Sequence, residues 1–298
     1  MKKITTCVLS LLCATLLLFG CAKPSTDAKN ETSQTTYNVA ETTICEAYTE
    51  STTAPYIPDS PRTIKATYTS TTLGGYTLPY TLILPENYSA EKTYPVMLFL
   101  HGAGERGSDN CLHINSAVSQ LYTTRPDLLD NAIFLAPQCP EGEKWVNTPW
   151  NEGNYSTDAT PESNALGTAM EILSKVMTDY SCDENRIYLF GISMGGYGTW
   201  DALVRHNSTF AAAIPLCGGG DESKAQLLAK TPIWCVHGTD DLVVQFEGTQ
   251  RMASAIIAAG GSKLIFTPLE NTGHDVWTYA TTNPELIGWL FSQQKQLS

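Results

Sequence analysis

The feature that most limits the fold is a series of short apolar segments that recur from residue 96 onwards. Each is three to six residues long and nearly free of polar residues, which is typical of strands buried on both faces of a sheet. The segments are residues 96–100, 133–136, 187–190, 211–216, 233–236 and 264–266. The pattern predicts a mostly parallel sheet, because such sheets are covered on both faces.

Segments with helical periodicity lie between these apolar segments. The clearest has apolar or aromatic residues at steps of three and four, which fall on one face of a helix. They are Leu166, Met170, Leu173, Met177 and Tyr180. Residues 194–206, 248–259 and 284–293 are the other predicted helices. Alternating strands and helices form βαβ units, so we expect an α/β fold with helices on both faces of the sheet.

The part of the chain before the first of these units has a different pattern. In residues 63–70 and 76–84 apolar and polar side chains alternate on either side of Gly74 and Gly75. This predicts two antiparallel strands joined by a turn. We therefore expect one domain over residues 62–298, with antiparallel strands at its N-terminal end.

Residues 1–20 have the properties of a secretory signal. Lys2 and Lys3 precede an apolar run over residues 8–19, which is short for a membrane-spanning helix. The run ends in Leu-Phe-Gly-Cys, which resembles a bacterial lipobox and predicts lipidation of Cys21. An ordinary cleaved signal and an uncleaved anchor helix are the alternatives, and all three predict export.

Residues 21–61 are rich in Ser, Thr, Ala, Asn and Glu and lack hydrophobic periodicity. This composition predicts a flexible tether between the lipidated cysteine and the folded domain. The net charge of −12 becomes −14 when the two signal lysines are removed. An acidic surface repels phosphate backbones, so nucleic acid is not an expected partner.

The cysteines give no sign of a metal site. Cys7 and Cys13 belong to the predicted signal, and the remaining ones show no metal-ligand spacing. These are Cys45, Cys111, Cys139, Cys182, Cys217 and Cys235. Exported proteins can form disulfides, but the last two lie in apolar segments where buried free thiols are at least as common. The pairing is left open.

A serine with flanking glycines carries the strongest local signal for chemistry. Residues 191–195 read Gly-Ile-Ser-Met-Gly, directly after a predicted strand and directly before a predicted helix. A nucleophilic serine on such a sharp turn has a strained backbone, and flanking glycines remove Cβ atoms that would collide with neighbours. The context indicates that Ser193 is a nucleophile.

A serine hydroxyl is protonated at neutral pH and needs a base. Five histidines are candidates for this base. His101 and His237 each end a strand before a glycine, where a histidine is more often tied into a loop than catalytic. His113 and His206 lie in polar segments. His274 lies on a loop after the strand at 264–266. Ser193 and His274 thus both lie at the carboxyl ends of strands, where sites form in parallel sheets.

The third member should be a carboxylate on another strand end, between the serine and the histidine in chain order. Asp240 and Asp241 both qualify, and Asp221 is a weaker candidate one strand earlier. An oxyanion needs two backbone N–H groups, one from the residue after the nucleophile and one from a loop after an early strand. Met194 supplies the first and Ala103 the second, with Gly104 as the next choice.

Four runs together resemble the prolyl-oligopeptidase-like, dienelactone-hydrolase-like branch of the α/β-hydrolase family. More narrowly, the chain is similar to bacterial secreted esterases labelled phospholipase/carboxylesterase or predicted peptidase, some of which act on feruloyl or acetyl esters of plant polysaccharides. The similarity covers about residues 62 to 293. The runs are residues 100–107 (LHGAGERG), 136–140 (APQCP), 191–200 (GISMGGYGTW) and 237–241 (HGTDD).

The resemblance implies roles for further residues. The family's acid lies in Gly-x-x-Asp-x-x-Val, which selects Asp241, and Gln245 stands where a proline is usual, which would loosen the acid loop. Residues 145–155 resemble the loop over the active-site mouth, so Trp145 and Trp150 are expected either to stack on an aromatic acyl group or sugar or simply to pack in the core. Gln138 is expected to contact the substrate.

We therefore expect a serine hydrolase that cleaves carboxylic esters, including acyl or feruloyl esters on carbohydrate, through an acyl-enzyme. The alternatives are a prolyl-oligopeptidase-like serine peptidase and a non-catalytic envelope lipoprotein that binds a glycan. No metal or other cofactor is implied. The expected form is an exported monomer on the cell surface, which meets the membrane through its lipid anchor alone.

Overall fold

The computed structural model describes residues 62–114 and 117–295. The predicted signal, the lipidation site at Cys21 and the tether lie outside these residues. Within the described residues, eight strands form one sheet. They are β1 (Thr63–Thr69), β2 (Thr77–Ile83), β3 (Tyr94–Leu100), β4 (Ile133–Pro137), β5 (Cys182–Ile192), β6 (Ala212–Leu216), β7 (Ile233–Gly238) and β8 (Leu264–Leu269).

The strands are ordered β1-β2-β4-β3-β5-β6-β7-β8. β1 pairs antiparallel with β2, with Thr63 opposite Ile83, and β2 pairs antiparallel with β4. All the other pairs are parallel. This confirms the predicted α/β-hydrolase fold, including its antiparallel N-terminal strands.

Eight helices accompany the sheet in the described part of the chain. They are α1 (Ala117–Thr124), α2 (Pro126–Leu129), α3 (Asn164–Asp179), α4 (Met194–Arg205), α5 (Ala225–Leu228), α6 (Phe246–Ala258), α7 (Trp277–Thr282) and α8 (Pro284–Ser292). The sequence pattern predicted α3, α4, α6 and α8 but missed the short α2, α5 and α7 and also α1. Among the described residues no helix is long and apolar enough to cross a bilayer.

The sheet separates two apolar cores. Helices α3, α4 and α6 cover one face and helices α1, α7 and α8 cover the other. Successive side chains of a strand point to opposite faces, so β3 contributes Leu98 to the first core and Phe99 to the second. The near-continuous apolar runs in the sequence arise from this burial on both sides.

Helix α3 shows where periodicity was informative and where it was not. Leu166 and Leu173 are buried as predicted, but Met170 and Met177 are only partly buried against the core. The buried stripe is centred instead on small and branched residues such as Ala169 and Ile172. Small side chains let the helix approach the sheet closely, and the larger methionines then lie at the edge of the contact.

Candidate active site

Ser193 occupies a sharp turn between β5, which ends at Ile192, and α4, which begins at Met194. Its φ of +56° and ψ of −114° are rare for a residue with a side chain and cost about 1–3 kcal/mol. The turn also needs its glycines. A Cβ on Gly191 would collide with the carbonyl oxygen of Gly195, and a Cβ on Gly195 with that of Leu100.

His274 lies on the loop between β8 and α7, close to Ser193 in space. Its Nε2 is 2.8 Å from the Oγ of Ser193, although the two residues are 81 positions apart in the chain. The contact forms because β5 and β8 end at the same edge of the parallel sheet.

Asp241 follows β7 and holds the other side of the His274 ring. Its Oδ2 is 2.7 Å from Nδ1 of His274, and its Oδ1 accepts the backbone N–H groups of Val243 at 2.8 Å and Val244 at 2.9 Å. The Asp241 side chain is 0% exposed. Asp240, by contrast, is exposed and accepts a bond from the hydroxyl of its neighbour Thr239.

Asp221, the third acidic candidate, is not part of this arrangement. Its carboxylate accepts bonds from the backbone N–H of Thr157 at 2.7 Å and from Ser223 at 2.6 Å and 3.1 Å, where it caps a short turn. The structure therefore brings Ser193, His274 and Asp241 together and leaves Asp240 and Asp221 outside.

The hydrogen bonds around Asp241 fix its charge. Burial raises the pKa of the carboxyl, but hydrogen bonds from His237, His274 and the backbone of Val244 and Val243 outweigh burial and hold this pKa well below its usual range. An ionised carboxylate can only accept, so Nδ1 of His274 carries the proton. The Nε2 that faces Ser193 is then free to accept the proton of the serine hydroxyl.

The two predicted oxyanion donors belong to segments that adjoin Ser193. Met194 is the first residue of α4, where backbone N–H groups have no partner within the helix. Ala103 begins a short 3-10 turn after Gly102, and a Cβ on Gly102 would lie 3.8 Å from the Cβ of Ser193. The loop after β3 therefore passes directly beside the serine.

His101 holds this loop in place as a neutral side chain. Burial lowers its pKa to about 3. Its Nε2 accepts the N–H of Cys139 at 2.9 Å and its Nδ1 donates to the carbonyl of Gly102 at 2.7 Å. Trp145 Nε1 donates to the His101 carbonyl at 3.0 Å. This agrees with the expectation that His101 is tied into a loop.

Two of the three residues expected to bind substrate lie inside the protein. Trp145 and Gln138 are both 0% exposed. The Gln138 amide accepts the N–H of Asn110 at 2.8 Å and donates to Asp109 at 2.9 Å and to the Glu105 carbonyl at 3.2 Å, so its hydrogen bonds hold the loop after β3. Neither side chain has surface for a ligand. For Gln138 this corrects the expectation of substrate contact, and for Trp145 it favours the alternative of packing in the core.

Trp150 differs from these two, because it is only partly buried. The Nζ of Lys144 lies 4.7 Å from the centre of its ring, and its carbonyl accepts the hydroxyl of Tyr197 at 3.0 Å. The next residue, Asn151, accepts a bond from the side-chain amide of Gln245 at 2.5 Å. Gln245 has a φ of −62°, which is close to the value that a proline at this position would have.

Sequence reasoning missed three apolar residues beside the site. The ring of Trp277, at the start of α7, packs edge-on against His274 with 5.4 Å between the ring centres. Leu242 and Val243, which follow Asp241 directly, are 99% and 53% exposed. An exposed apolar pair directly after an acidic residue in a loop can be found in the sequence. It indicates a site only if the acidic residue is already a candidate for catalysis.

One group in the described part of the chain has side chains that could hold a metal ion, namely Cys217, Asp241 and His274. Burial, together with the charge of Asp241, raises the pKa of the Cys217 thiol well above its usual value. The thiol is therefore protonated, and Asp241 and His274 are hydrogen-bonded to each other. The facing atoms of Asp241 and His274 are thus occupied by their own hydrogen bond. Cys139, Cys182, Cys217 and Cys235 are free thiols.

Comparisons with known proteins identify the family of the chain. Residues 70–241 match the family model described as a putative esterase. The chain belongs to this esterase family. The match covers more than half of the chain and ends at Asp241, so it includes Ser193 but not His274.

Named relatives of this esterase chain come from several organisms. It is 27% identical over 202 residues to a probable feruloyl esterase C of Aspergillus terreus, a match covering 65% of the chain and 66% of the relative. It is 32% identical over 153 residues to a bifunctional acetylxylan esterase/xylanase of Neocallimastix patriciarum, covering 51% of the chain and 20% of the relative.

A solved structure described as a thermostable esterase is similar over a larger share of the chain. It has a TM-score of 0.69 and 35% identity, and the match covers 78% of this chain and 64% of that one. The chain thus spans just under two thirds of the length of this esterase and of the Aspergillus relative.

Proposed function

We propose that this chain is a serine esterase that works through an acyl-enzyme. Ser193 Oγ attacks the ester carbonyl while His274 Nε2 takes its proton, and the N–H groups of Met194 and Ala103 stabilise the oxyanion. His274 then gives the proton to the departing alcohol. Water repeats the cycle on the acyl group, and Asp241 orients His274 in both halves.

The observation that carries this proposal is the continuous pair of hydrogen bonds from Ser193 through His274 to Asp241, at 2.8 Å and 2.7 Å. Each residue comes from a different strand end, and the chain order of serine, acid and histidine is the one typical of α/β hydrolases. The strained backbone of Ser193 adds support, because strain at a serine is retained where the surrounding structure holds it for function.

Replacing Ser193 by alanine tests the proposal. We expect kcat for p-nitrophenyl acetate to fall by more than about 10⁴-fold, because the nucleophile is removed. Labelling by a fluorophosphonate probe should also be lost. Ser174→Ala, an exposed position on α3, is the matched control and should retain both activity and labelling. Full activity of Ser193→Ala with native circular dichroism would contradict the proposed nucleophile.

For the substrate we propose acyl or feruloyl esters on carbohydrate. The names of the Aspergillus and Neocallimastix relatives support this class. Trp277 beside His274, and the exposed Leu242 and Val243 after Asp241, are apolar side chains suited to an aromatic or acyl group. Methyl ferulate, acetylated xylan, short acyl esters and dipeptide amides should be compared side by side, and preferential cleavage of the amides would favour a peptidase instead.

Trp277 provides a sharper test of the substrate class. Trp277→Ala should raise KM for methyl ferulate by about three- to tenfold, because an aromatic contact is lost, with a smaller effect on p-nitrophenyl acetate. Trp277→Phe keeps an aromatic ring and should restore much of the loss. Equal changes in KM for both substrates would show that Trp277 does not recognise the aromatic acyl group.

The proposed location is the outer side of the cell membrane, with Cys21 lipidated and residues 21–61 as the tether. The sequence of residues 1–21 supports it. Assignment to the prolyl-oligopeptidase-like branch of the hydrolases also remains part of this proposal.

A further inference from the structure

His237 lies directly behind the proposed triad and touches its acid. It is wholly buried at the end of β7. Its Nε2 is 3.1 Å from Oδ2 of Asp241, the same oxygen that contacts His274, and 3.1 Å from the carbonyl oxygen of Val244. Its Nδ1 is 2.7 Å from the hydroxyl of Thr249 on α6. Oδ2 of Asp241 therefore contacts both His237 and His274.

The protonation of Nδ1 follows from the single hydroxyl proton of Thr249. The Thr249 Oγ1 is 2.5 Å from the carbonyl oxygen of Gly218, which can only accept. Thr249 must therefore donate its proton to Gly218, because two oxygens this close without a proton between them would repel. Toward His237 the hydroxyl can then only accept, so Nδ1 carries a hydrogen.

The protonation of Nε2 follows from its own neighbours. Both the Asp241 carboxylate and the Val244 carbonyl are acceptors, and the carboxylate is ionised. An unprotonated Nε2 would direct its lone pair at two oxygens, each 3.1 Å away. A shared N–H removes this repulsion. Both ring nitrogens thus carry a proton.

We propose that His237 is a buried imidazolium that positions Asp241 and balances its charge behind His274. This inference rests on the proposed esterase function and adds a positioning residue to it. The Oδ1 of Asp241 is held by two backbone N–H groups, and Oδ2 lies between the two histidines. The carboxylate is therefore fixed in the orientation that Nδ1 of His274 requires.

The charge of His237 also affects the basicity of the site. The ionisable groups around Asp241 include two exposed carboxylates, Asp240 and Asp275. Burial raises the pKa of Cys217 on the β6 side and of Tyr197 on α4, and Arg251 on α6 lies 3.4 Å from Glu222. The imidazolium therefore places a positive charge behind Asp241, which opposes the second positive charge that forms on His274 when it takes the serine proton.

Nuclear magnetic resonance of the purified chain tests the protonation directly, without a substrate or a variant. In a long-range nitrogen–proton correlation spectrum at neutral pH, both ring nitrogens of His237 should resonate as N–H-bearing. His101 is an internal control, because its Nε2 accepts a hydrogen bond and only its Nδ1 should carry a proton. One unprotonated nitrogen in His237 would overturn the proposal.

The pH dependence of kcat/KM tests the effect on the site. His237→Gln retains a polar side chain but removes the charge, so the acid limb of the profile should move to higher pH by about one unit. His206→Gln, at the far end of α4, is the matched control and should leave the limb in place. Thr249→Val removes the acceptor of Nδ1 and should move the limb in the same direction as His237→Gln.

An unchanged acid limb in two folded variants would overturn the functional part of the inference. The outcomes are separable from failure of the proposed esterase function, which the loss or retention of activity in Ser193→Ala decides. The spectrum of His237 can be read whichever way that experiment turns out.

Discussion

At the scale of single residues, the described structure separates neighbours that look equivalent in the sequence. Asp240 and Asp241 are adjacent, yet one is exposed and the other is buried against two histidines. The order of residues left both candidates open, and only the resemblance to a family selected Asp241. A step of one residue along the loop after β7 decides that the carboxylate of Asp241, and not that of Asp240, faces His274.

The difference between the two aspartates leads to a prediction, and Asp240 provides its control. Asp241→Asn should lower kcat/KM for p-nitrophenyl acetate by about 10³- to 10⁴-fold, because an amide cannot hold His274 in the required tautomer. Asp240→Asn removes the same charge from the exposed neighbour and should change kcat/KM by less than about twofold. If the two variants lost activity equally, Asp241 would not be the acid of the triad.

At the scale of secondary structure, the predicted strands correspond closely to those observed, because burial on both faces leaves a clear apolar run. Helix ends depend more on single side chains. The Oγ of Ser163 accepts the N–H of Leu166 at 3.0 Å and donates to the carbonyl of Trp145 at 2.8 Å. One hydroxyl thus both begins α3 and fixes the loop before it.

Ser163→Ala should therefore lower the free energy of unfolding by about 1–2 kcal/mol, since a helix cap and a second hydrogen bond are lost. Chemical denaturation followed by circular dichroism measures this change. Ser174→Ala, at an exposed site in the middle of the same helix, should stay within about 0.5 kcal/mol of the wild type. Equal stability of both variants would show that the cap contributes nothing.

At the scale of the whole molecule, the folded domain is preceded by a segment whose composition is quite different. The sequence predicts that residues 21–61 carry the domain away from a lipid anchor at Cys21. The proposed triad of Ser193, His274 and Asp241 lies in the described domain, beyond this segment. Anchoring and catalysis should therefore be separable.

Replacing Cys21 by serine tests this separation. In a bacterial host the wild-type chain should fractionate with membranes, whereas Cys21→Ser should be recovered in the soluble or secreted fraction, because the thiol that takes up the lipid is missing. Its kcat/KM should equal that of the wild type. A wild-type chain that is soluble after processing would instead indicate an ordinary cleaved signal.

The sequence alone was sufficient for the alternation of strands and helices, the antiparallel start of the sheet and the serine on its sharp turn. These features follow from local periodicity and from a few glycines, which a short window of residues contains. The tertiary structure decided the rest: the burial of Gln138 and Trp145, the contact of Trp277 with His274 and the second histidine on Asp241. These depend on which distant side chains share a space, and local periodicity does not encode that.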